Sequence, residues 1–551
     1  MFKSKRKKCI TFLLLLAMTL NFLMVPNFNK VSASPSKVKN VILLVPDGTG
    51  ITHTTLARWY KGGEPLAMDE IACGLIRTYS SDAVIADSAP AATAMATGYK
   101  SHTGFISVLP DVANMPLLNP IKKGEERRPV ASILEGAKLN GMATGIVATC
   151  ELPHATPASF ASHYPNRKAY DTLSEQMVYN DLDILFAGGH DVLIPEKRAD
   201  KEDMLKILQS KGYDIVKDAE ELKNTQAKKV WGLFAPMALD YEFDRSYEQP
   251  SLSDMTQKAI DILSNGKKDG FFLMVEGSKI DWASHANDPI GVISDALAFD
   301  NAVSVALNFA KKDKDTVVIV APDHSNGGMT IGDSTLDKTY DNQPLSTIVA
   351  PLKRAKLTGE GIGKKLNADR SNIKEIMSAY YGIDDLTAKE EQAIKTCDIN
   401  KVIDTVGPMI SKRAHIGWTT KGHSGEEVGL YVYHPKGIRP TGVIQNTDVN
   451  KYMCEVLDIN LQHVTDTLFL QAEKNFKEKE ATLSVDSSDK ENLVLIVTKD
   501  DKTVKFPQNK NIAIVGDETI ELPGVTVYTG TKENIEIAKW YLSDKAVNLI
   551  K

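Results

Sequence analysis

Short apolar runs, rich in β-branched residues, recur along the chain and alternate with segments of helical periodicity. Five of them are prominent, over 41–45, 144–148, 183–187, 271–275 and 316–320. Strands that are buried on both faces of a parallel sheet have this continuous apolar character, because helices cover both faces. The pattern therefore predicts an α/β fold, a three-layer sandwich with a large, mostly parallel central sheet and helices on both faces.

The strand pattern fades in the second half of the chain. Residues 327–420 are polar and helix-rich, which predicts an insertion over the sheet. Residues 430–433 then return to strand character. The main domain is therefore expected to occupy residues 34–470, with the insertion included.

The composition changes once more after residue 470. The highly charged stretch over 471–483 is predicted to be a linker. Short strand-like runs follow, with a helical pattern at the end; they lie over 493–497, 503–506, 512–515, 524–528 and 532–542. These runs predict a small β-rich (α+β) accessory domain over 484–551. This domain holds no histidine and no cysteine, so no metal site is expected there.

The N-terminus has the pattern of an export signal. Basic residues precede an apolar run over 10–25, and Val31-Ser32-Ala33 resembles a cleavage site. Residues 1–33 are therefore predicted to be a signal peptide. A membrane anchor is the alternative, but Thr19 and Asn21 interrupt the run, which is short for a span. No other stretch has the length and apolar character of a membrane span, so the mature protein is expected to be secreted, either soluble or attached to the cell surface.

The charge balance argues against nucleic acid as a partner. The formal net charge is −6, and residues 1–33 contain basic but no acidic residues, so the mature chain is more acidic still. The general basic surface that nucleic-acid binding requires is therefore not expected. A small anionic substrate is compatible with this balance, because it needs only local positive charge.

Four cysteines remain in the mature chain, namely Cys73, Cys150, Cys397 and Cys454. They are widely spaced and form no Cys-x-x-Cys zinc pattern. An exported compartment permits disulfides, but the spacing does not pair these four, and buried free thiols fit it equally.

A serine lies at the start of an alanine-rich helical segment. Ser88 follows Asp87, Pro90 suits the first helical turn, and Gly98 suits the helix end. A helix N-terminus offers free N–H groups and partial positive charge to an anion. Ser88 is therefore either a nucleophile beside an anion site or a plain capping residue. No Gly-x-Ser-x-Gly motif surrounds it, so activation by a hydrolase triad is not indicated.

Carboxylates and imidazoles follow four of the predicted strands. These strand ends are Pro46-Asp47-Gly48, Thr149-Cys150-Glu151 through Thr156, Glu276 through His285, and Asp323-His324. Ligands of parallel sheets bind beyond the carboxyl ends of the strands, so these side chains are expected to converge. Buried carboxylates would repel one another strongly unless divalent metals neutralised them.

The donor types indicate which metals would bind. Asp281 and His285 are one helical turn apart and can reach the same ion, and Asp323 with His324 can reach a second. Mixed oxygen and nitrogen donors suit zinc. Oxygen donors suit magnesium, and such donors are supplied by Asp47, Glu276 and Thr156.

Seven short segments, taken together, resemble the alkaline phosphatase family. They are Pro46-Asp47-Gly48, Asp87-Ser88-Ala89, His154-Ala155-Thr156-Pro157, Val275-Glu276-Gly277, Ile280-Asp281 through His285, Asp323-His324 and Gly422-His423-Ser424-Gly425. Each motif alone is weak, but they follow the family's order and similar spacing over 38–470. The resemblance implies metal-dependent hydrolysis of phosphate monoesters, with broad specificity and a phosphoserine intermediate at Ser88.

The resemblance also implies three metal sites and a phosphate clamp. The implied ligands are Asp281, His285 and His423 for a first zinc, Asp47, Asp323 and His324 for a second zinc, and Asp47, Thr156 and Glu276 for magnesium. Arg167 lies where the family has its phosphate-binding arginine, and a planar, bidentate cation suits the oxygens of a phosphoryl group. Asp87 is expected to orient Arg167.

Two positions depart from the pattern of some family members. His154 stands where some have aspartate near the magnesium site, and Trp282 stands where some have lysine near the phosphate. Because imidazole favours zinc or another transition metal, His154 is predicted to change which metal binds at the third site. Trp282 is interpreted as a supporting residue of the site or, equally, as a core residue.

Two rival functions stand beside phosphate monoester hydrolysis. One is a phosphodiesterase or sulfatase of the same superfamily, and the other is a secreted protein that binds phosphate or metal without turnover. The nucleophile, the arginine and the ligand set favour the monoesterase, with a role in phosphate scavenging. Family members are often homodimers, and the accessory domain could serve as a cell-wall attachment, a dimer contact or a spacer.

Overall fold

A ten-stranded sheet forms the centre of the structure, a computed structural model that describes residues 36–266 and 269–551. The predicted signal peptide, residues 1–33, lies outside the described residues. The strands up to residue 445 are β1 (Asn40–Pro46), β2 (Ala72–Arg77), β3 (Ala143–Glu151), β4 (Ile184–Gly188), β5 (Asp214–Val216), β6 (Val230–Leu233), β7 (Phe271–Gly277), β8 (Thr316–Val320), β9 (Ser325–Asn326), β10 (Met329–Ile331), β11 (Ile416–Trp418), β12 (His423–Ser424), β13 (Val428–Tyr433) and β14 (Gly442–Gln445). The order across the sheet is β14-β2-β13-β8-β1-β7-β3-β4-β6-β5.

The sheet is parallel except at β13, which runs antiparallel to both β8 and β2. Its two faces are both buried, as the central strand β1 illustrates. Val41 and Val45 belong to the core on one face, whereas Ile42 and Leu44 belong to the core on the other. This burial explains the continuous apolar runs of the sequence and confirms the predicted α/β sandwich.

Helices cover both faces of the sheet. On the face of Val41 they are Ser88–Thr97, Ile133–Leu139, Ala155–Ala161, Tyr170–Tyr179, Met204–Ser210, Asn446–Leu457 and Leu461–Leu468. On the face of Ile42 they are Ile51–Tyr60, Ala219–Asn224, Leu252–Ser264, Lys279–His285 and Pro289–Asp313.

One helix among the described residues, Pro289–Asp313, has the length and hydropathy of a membrane span. Of the most apolar 18 consecutive residues of this helix, 72% are buried inside the protein. The side chains of Val292, Phe299 and Val303 belong to the core beneath the sheet. Packing against the sheet therefore accounts for the apolar character of this helix.

Five helices between β10 and β11 form the insertion. They are Leu345–Lys353, Gly359–Lys365, Ile373–Tyr381, Ala388–Thr396 and Val402–Arg413. Their apolar side chains form a separate core, which Leu56, Ile290 and Ile293 of the main body join. The insertion therefore packs on the helices Ile51–Tyr60 and Pro289–Asp313, which flank the carboxyl ends of the strands.

The chain after residue 469 forms a small body, called here the C-terminal body, with two antiparallel sheets. Its strands are β15 (Leu470–Gln471), β16 (Thr482–Asp486), β17 (Val494–Lys499), β18 (Lys502–Pro507), β19 (Ile512–Val515), β20 (Glu518–Glu521), β21 (Val527–Tyr528) and β22 (Trp540–Leu542), and its helices are Ala472–Lys477 and Asp544–Val547. One sheet holds β16 to β20 in chain order, and the other has the order β15-β22-β21.

The C-terminal body differs from the sequence-based expectation at one element. The helix expected over 532–542 is wrong, because Trp540–Leu542 is a strand that pairs with both β15 and β21. The side chains of all three residues are buried, so pairing and burial override the local helical pattern. In the stretch expected to be a linker, Ala472 and Phe476 are buried in the core of this body. The domain boundaries stay a prediction.

Candidate active site

Four neighbouring strands of the central sheet end at one edge, and their carboxyl ends supply most of the site. Asp47 follows β1, Glu276 lies near the end of β7, and Asp323 with His324 follows β8. The fourth strand, β3, leads into the segment that contains His154. The structure therefore brings together residues that are far apart in the sequence, as the parallel sheet predicts.

Ser88 is the first residue of the helix Ser88–Thr97 and is buried beside these strand ends. Asp87 is the N-cap residue, and Gly98 ends the helix in the left-handed region at φ +81°. Among the described residues, the side chain of Asp87 makes no capping hydrogen bond. The Ser88 Oγ lies 3.1 Å from the His324 Nε2, so the hydroxyl points toward the carboxylate cluster.

Asp281 and two histidines form the first group of potential metal ligands. The Asp281 carboxylate lies 3.3 Å from the His285 Nε2 and 3.7 Å from the His423 Nε2. The Nδ1 atoms of these histidines contact the backbone carbonyls of Lys421, at 2.6 Å, and Ala86, at 2.7 Å. These contacts turn each Nε2 toward Asp281, the arrangement typical of metal-binding histidines.

A second group consists of Asp47, Asp323 and His324. The His324 Nε2 lies 3.1 Å from Asp323 Oδ2 and 3.6 Å from Asp47 Oδ1, and all three residues are fully buried. The His324 ring stacks on that of His423, with 3.6 Å between the ring centroids. The first two groups are therefore adjacent.

A third group unites Cys150, His154 and Glu276, with ligand atoms within 4.8 Å of one another. The Cys150 thiol donates a hydrogen bond to Glu276 Oε2 at 3.2 Å. Thr156 is buried on the helix that starts directly after His154, and its hydroxyl has no hydrogen-bond partner in the described part of the chain. Sequence reasoning missed Cys150, although it lies in the strand-end segment Thr149-Cys150-Glu151.

Several buried polar atoms of the site have no hydrogen-bond partner within the described residues, and bound cations would compensate for the missing contacts. Both carboxylate oxygens of Asp47, Asp323 Oδ2, Glu276 Oε1 and His154 Nδ1 are buried without a hydrogen-bond partner among residues 36–266 and 269–551. Uncompensated groups of this kind are unfavourable in a protein interior. The carboxylate and imidazole donors therefore fit divalent metal ions, of which zinc and magnesium match the donor types.

Electrostatics in the site leads to the same conclusion. Burial and the charges of Asp323, Asp281 and Glu276 raise the pKa of Asp47 well above its usual range. Burial also raises the pKa of Glu276 to about 7. Burial opposes ionisation of His324, but the Asp323 carboxylate raises the pKa of that imidazole to about 9. The protein places more negative charge here than its own cations compensate, so metal binding would relieve the repulsion.

Arg167 lies at the open side of the site. Its guanidinium forms an ion pair with Asp87, and its Nη2 lies 3.1 Å from the His154 Nε2. Asp87, Arg167, Lys168 and Tyr170 line a surface cavity at this point. The Asp87 side chain therefore contacts Arg167 and, within the described residues, makes no capping hydrogen bond.

His154 has two competing partners. A neutral imidazole has one lone pair, so His154 can accept a hydrogen bond from Arg167 or bind a metal with that lone pair, but not both. Burial and the charge of Arg167 lower the pKa of His154, which favours the neutral ring. His154 thus links the arginine with the third group of ligands.

Trp282 is partly buried and packs against the apolar cores on both faces of the sheet. Its ring meets the His154 ring edge-on, with 5.7 Å between the ring centroids. The structure therefore places Trp282 in core packing and also beside the third group.

Asn326 is a further site residue that sequence reasoning missed. Its side-chain Nδ2 donates hydrogen bonds to the Asp281 carboxylate at 2.7 Å and to the Asp281 backbone carbonyl at 3.1 Å. These bonds fix the orientation of Asp281. An asparagine two residues after His324 carries no sequence signal for this role, because its partner is 45 residues away.

Comparisons with known proteins identify the family. A sequence profile of the alkaline phosphatase family matches residues 38–459. Alkaline phosphatase 3 of Bacillus subtilis (strain 168) is 36% identical over 455 residues, which cover 79% of this chain and 92% of the relative. The crystal structure of Thermus thermophilus alkaline phosphatase superposes with a TM-score of 0.69 and 28% identity, covering 79% of this chain and 96% of that one.

A third similar structure is a variant of the alkaline phosphatase from the Antarctic bacterium TAB5, in which a histidine is replaced by glutamate and Mg is bound in the M3 site. It superposes with a TM-score of 0.54 and 28% identity, covering 77% of this chain and 99% of that one. Because the family match spans most of the chain, and because curated relatives and solved structures agree with it, the chain belongs to the alkaline phosphatase family of enzymes.

Proposed function

We propose that this enzyme hydrolyses phosphate monoesters through a covalent phosphoserine at Ser88. The observation that supports this most directly is the position of the Ser88 hydroxyl, at a helix N-terminus and 3.1 Å from His324 within the ligand cluster. A hydroxyl in this place faces both the anion-binding end of the helix and the carboxylates that would hold metal ions.

The reaction proposed for this site has two steps. The Ser88 Oγ attacks phosphorus, the bond from phosphorus to the ester oxygen breaks, and the alcohol leaves. Water then attacks the phosphoserine, which releases inorganic phosphate and restores Ser88. The Arg167 guanidinium holds two phosphoryl oxygens in both steps, and Asp87 orients the guanidinium through their ion pair.

Metal ions would be held by the residues that the sequence predicted, with two zinc sites and a third site. We assign Asp281, His285 and His423 to the first site and Asp47, Asp323 and His324 to the second. When bound, such ions neutralise the carboxylates, lower the pKa of nearby hydroxyl groups and stabilise a leaving oxygen. Asn326 and the carbonyls behind His285 and His423 keep these ligands oriented.

The third site is proposed to bind magnesium or, because of His154, zinc or another divalent metal in its place. Thr156 and Glu276, with Asp47 bridging to the second site, supply oxygen donors, whereas His154 adds a nitrogen. We predict that His154→Asp raises the magnesium affinity of this site. Elemental analysis after refolding with mixed metals would show about one magnesium per chain in the variant and less in the parent.

The opposite outcome would contradict this assignment. If the parent chain already contains two zinc ions and one tightly bound magnesium, His154 does not alter the metal bound. His190→Asp is the matched control, because His190 begins a short 3₁₀ helix outside the three ligand groups. That variant should leave the metal content unchanged.

Replacement of the nucleophile tests the covalent route. Ser88→Ala should lower kcat for an aryl phosphate by at least about a thousandfold, because the variant has no hydroxyl with which to form the phosphorylated intermediate. Ser132→Ala is the control, since Ser132 caps the helix Ile133–Leu139 and accepts a hydrogen bond from the Glu135 N–H. The control should lose stability and keep its turnover. Near-normal turnover in Ser88→Ala would refute the covalent mechanism.

The substrate class needs a separate comparison. Assays with an aryl phosphate, a bis-aryl phosphate and an aryl sulfate should show a clear preference for the monoester, and a chelator should abolish its hydrolysis. A preference for the diester would favour the phosphodiesterase alternative. A metal-loaded chain that releases no phosphate would indicate a binding protein.

We further propose that the enzyme is exported and scavenges phosphate. The signal-like pattern over 1–33 and the broad specificity expected of the site support this role. The same proposal includes two further features. The enzyme forms a homodimer, and the C-terminal body attaches it to the cell wall or elsewhere. Cell fractionation with and without residues 1–33 would test export, and deletion after Leu470 would test surface retention.

A further inference from the structure

A loop of the C-terminal body contacts the helix Tyr170–Tyr179 of the main body. This loop, residues 508–511, connects β18 and β19. The side chains of Gln508, Asn509 and Asn511 are almost completely buried, with exposures of 5%, 3% and 1%. Buried polar side chains in a connecting loop need specific partners, and Asn509 and Asn511 have theirs on the main body.

Asn509 is at the centre of this contact. Its Nδ2 donates a hydrogen bond to the Glu175 carboxylate at 2.7 Å, and its Oδ1 accepts one from Gln176 Nε2 at 3.0 Å. Its backbone lies in the left-handed region at φ +65°, which asparagine tolerates better than most residues. The Asn509 N–H donates to the Thr526 carbonyl at 2.8 Å, so the loop is also held by its own body.

Gln176 connects Asn509 to the main chain of His163. Its Oε1 accepts a hydrogen bond from the His163 N–H at 2.7 Å, and its Nε2 donates to the His163 carbonyl at 3.2 Å. The amide therefore has a single orientation in which Asn509 and His163 are both satisfied. The His163 ring lies between the Ser107 carbonyl and the Glu135 carboxylate, at 2.9 Å from each.

The segment that follows His163 carries the arginine of the site. Tyr164 and Ile106 exchange both of their backbone hydrogen bonds, each 2.9 Å long. The Arg167 N–H then donates to the Gly104 carbonyl at 2.8 Å. The Gly104 N–H in turn donates to the Asp87 carboxylate at 3.2 Å, the same carboxylate that pairs with the Arg167 guanidinium. Hydrogen bonds and two short main-chain segments, 163–164 and 104–106, thus join Asn509 to Arg167.

We propose that Asn509 is a positioning residue for Arg167. Through Gln176 and the His163 main chain, the C-terminal body holds the segment that carries the guanidinium and so increases the affinity of the site for phosphate. Buried hydrogen bonds of this kind restrict the orientation of the groups they join, and a small misplacement of a binding group weakens a site considerably. This inference rests on the proposed function only where Arg167 is taken to bind phosphoryl oxygens.

The competitive inhibition constant of inorganic phosphate is the informative measurement, made on the metal-loaded full-length enzyme with an aryl phosphate as substrate. Asn509→Ala should raise this constant by about threefold to tenfold, the size expected for an indirect effect on a site. Asn511→Ala is the matched control, because Asn511 donates to Asp181 at 2.8 Å across the same contact and away from Gln176. The control should lower Tm and leave the inhibition constant of phosphate within about twofold of the parent value.

A double-mutant cycle separates positioning from general destabilisation. In an Arg167→Ala background, Asn509→Ala should have no further effect on the phosphate constant, because the group it positions is absent. An equal effect in both backgrounds, or an unchanged constant in folded Asn509→Ala, would overturn the proposal. If Asn509→Ala does not fold, Gln176→Glu removes the amide donor to Asn509 and to the His163 carbonyl, keeps the acceptor for the His163 N–H and should raise the inhibition constant at least as much.

The result can be distinguished from failure of the proposed function. A parent enzyme that releases no phosphate from an aryl phosphate would contradict the function itself. An active parent enzyme whose inhibition constant for phosphate is unchanged by substitution of Asn509 or Gln176 would contradict only the positioning role.

Discussion

Gly48 lies where the first strand of the site meets the helix that carries Asp281. Its φ of +65° falls in the left-handed region, and its N–H donates to the Asp323 carboxylate at 3.1 Å. A Cβ at this position would lie 2.5 Å from Asp281 Oδ1. The glycine therefore permits both the turn after Asp47 and the close approach of two ligand-bearing segments.

Gly48→Ala should disable the site in addition to straining the backbone. We expect at least about a tenfold loss of kcat and a lower Tm, because the methyl group must displace the Asp281 carboxylate. Gly62→Ala is the control, since Gly62 also has a positive φ, +86°, but a methyl group there would meet no described residue within 4 Å apart from its neighbours in the chain. The control should lose only about 1–2 kcal/mol of unfolding free energy and keep its activity. Equal effects on kcat in the two variants would contradict the steric explanation.

The insertion is joined to the main body at the start of the long helix Pro289–Asp313. Asp288 is the N-cap residue of this helix, and its carboxylate accepts hydrogen bonds from the Ile290 N–H at 3.0 Å and the Gly359 N–H at 2.8 Å. The Tyr381 hydroxyl of the insertion donates to the same carboxylate at 2.8 Å. One buried side chain therefore caps a core helix and connects two insertion helices to it.

Tyr381→Phe should weaken this junction without affecting the chemistry. Loss of a donor to a buried carboxylate should lower the free energy of unfolding by about 1–3 kcal/mol, measured by denaturant titration. Tyr380→Phe is the control, because Tyr380 is the neighbouring tyrosine of the same helix and is only half-buried. This control should leave stability within about 0.5 kcal/mol. A large fall in kcat for Tyr381→Phe would show that the insertion acts on the catalytic site.

The two bodies of the molecule meet at Glu175, a buried carboxylate beside Asn509. Burial raises the pKa of Glu175 to about 8, and the nearby charge of Lys510 opposes this only in part. The folded protein therefore keeps a proton on Glu175 at pH values where the unfolded chain has lost it. Stability should consequently fall as the pH rises from about 4.5 to about 8, through the interval between the unfolded and folded pKa values.

Glu175→Gln should flatten this pH dependence of Tm, because glutamine imitates the protonated side chain and does not titrate. We expect the variant to be more stable than the parent near pH 8 and similar to it near pH 4.5. Glu473→Gln is the control, since Glu473 pairs with Lys477 on a helix of the C-terminal body and is not one of the charges that shift the pKa of Glu175, so its replacement should preserve the slope. Parallel Tm curves for parent and Glu175→Gln would contradict the assignment.

The sequence by itself determined the fold class and the candidate reactive groups. Apolar runs such as 41–45 and 316–320 indicate strands because burial on both faces leaves no room for polar residues, and these predictions were confirmed. The convergence of Asp47, Asp323 and His324 was also predictable, because parallel strands end at one edge and ligands concentrate there. The helix expected over 532–542 failed because local periodicity does not report strand pairing with β15 and β21.

Only the tertiary structure decided how the site is supported. Cys150 faces Glu276, which is 126 residues away in the chain, and Asn326 orients Asp281, which is 45 residues away. Asn509 reaches the segment of Arg167 through Gln176, which is 333 residues away. Such contacts depend on where the folded chain brings separate segments together. A residue's type and its near neighbours therefore reveal the reactive groups of this protein, whereas the orientation of those groups follows from long-range packing and hydrogen bonding.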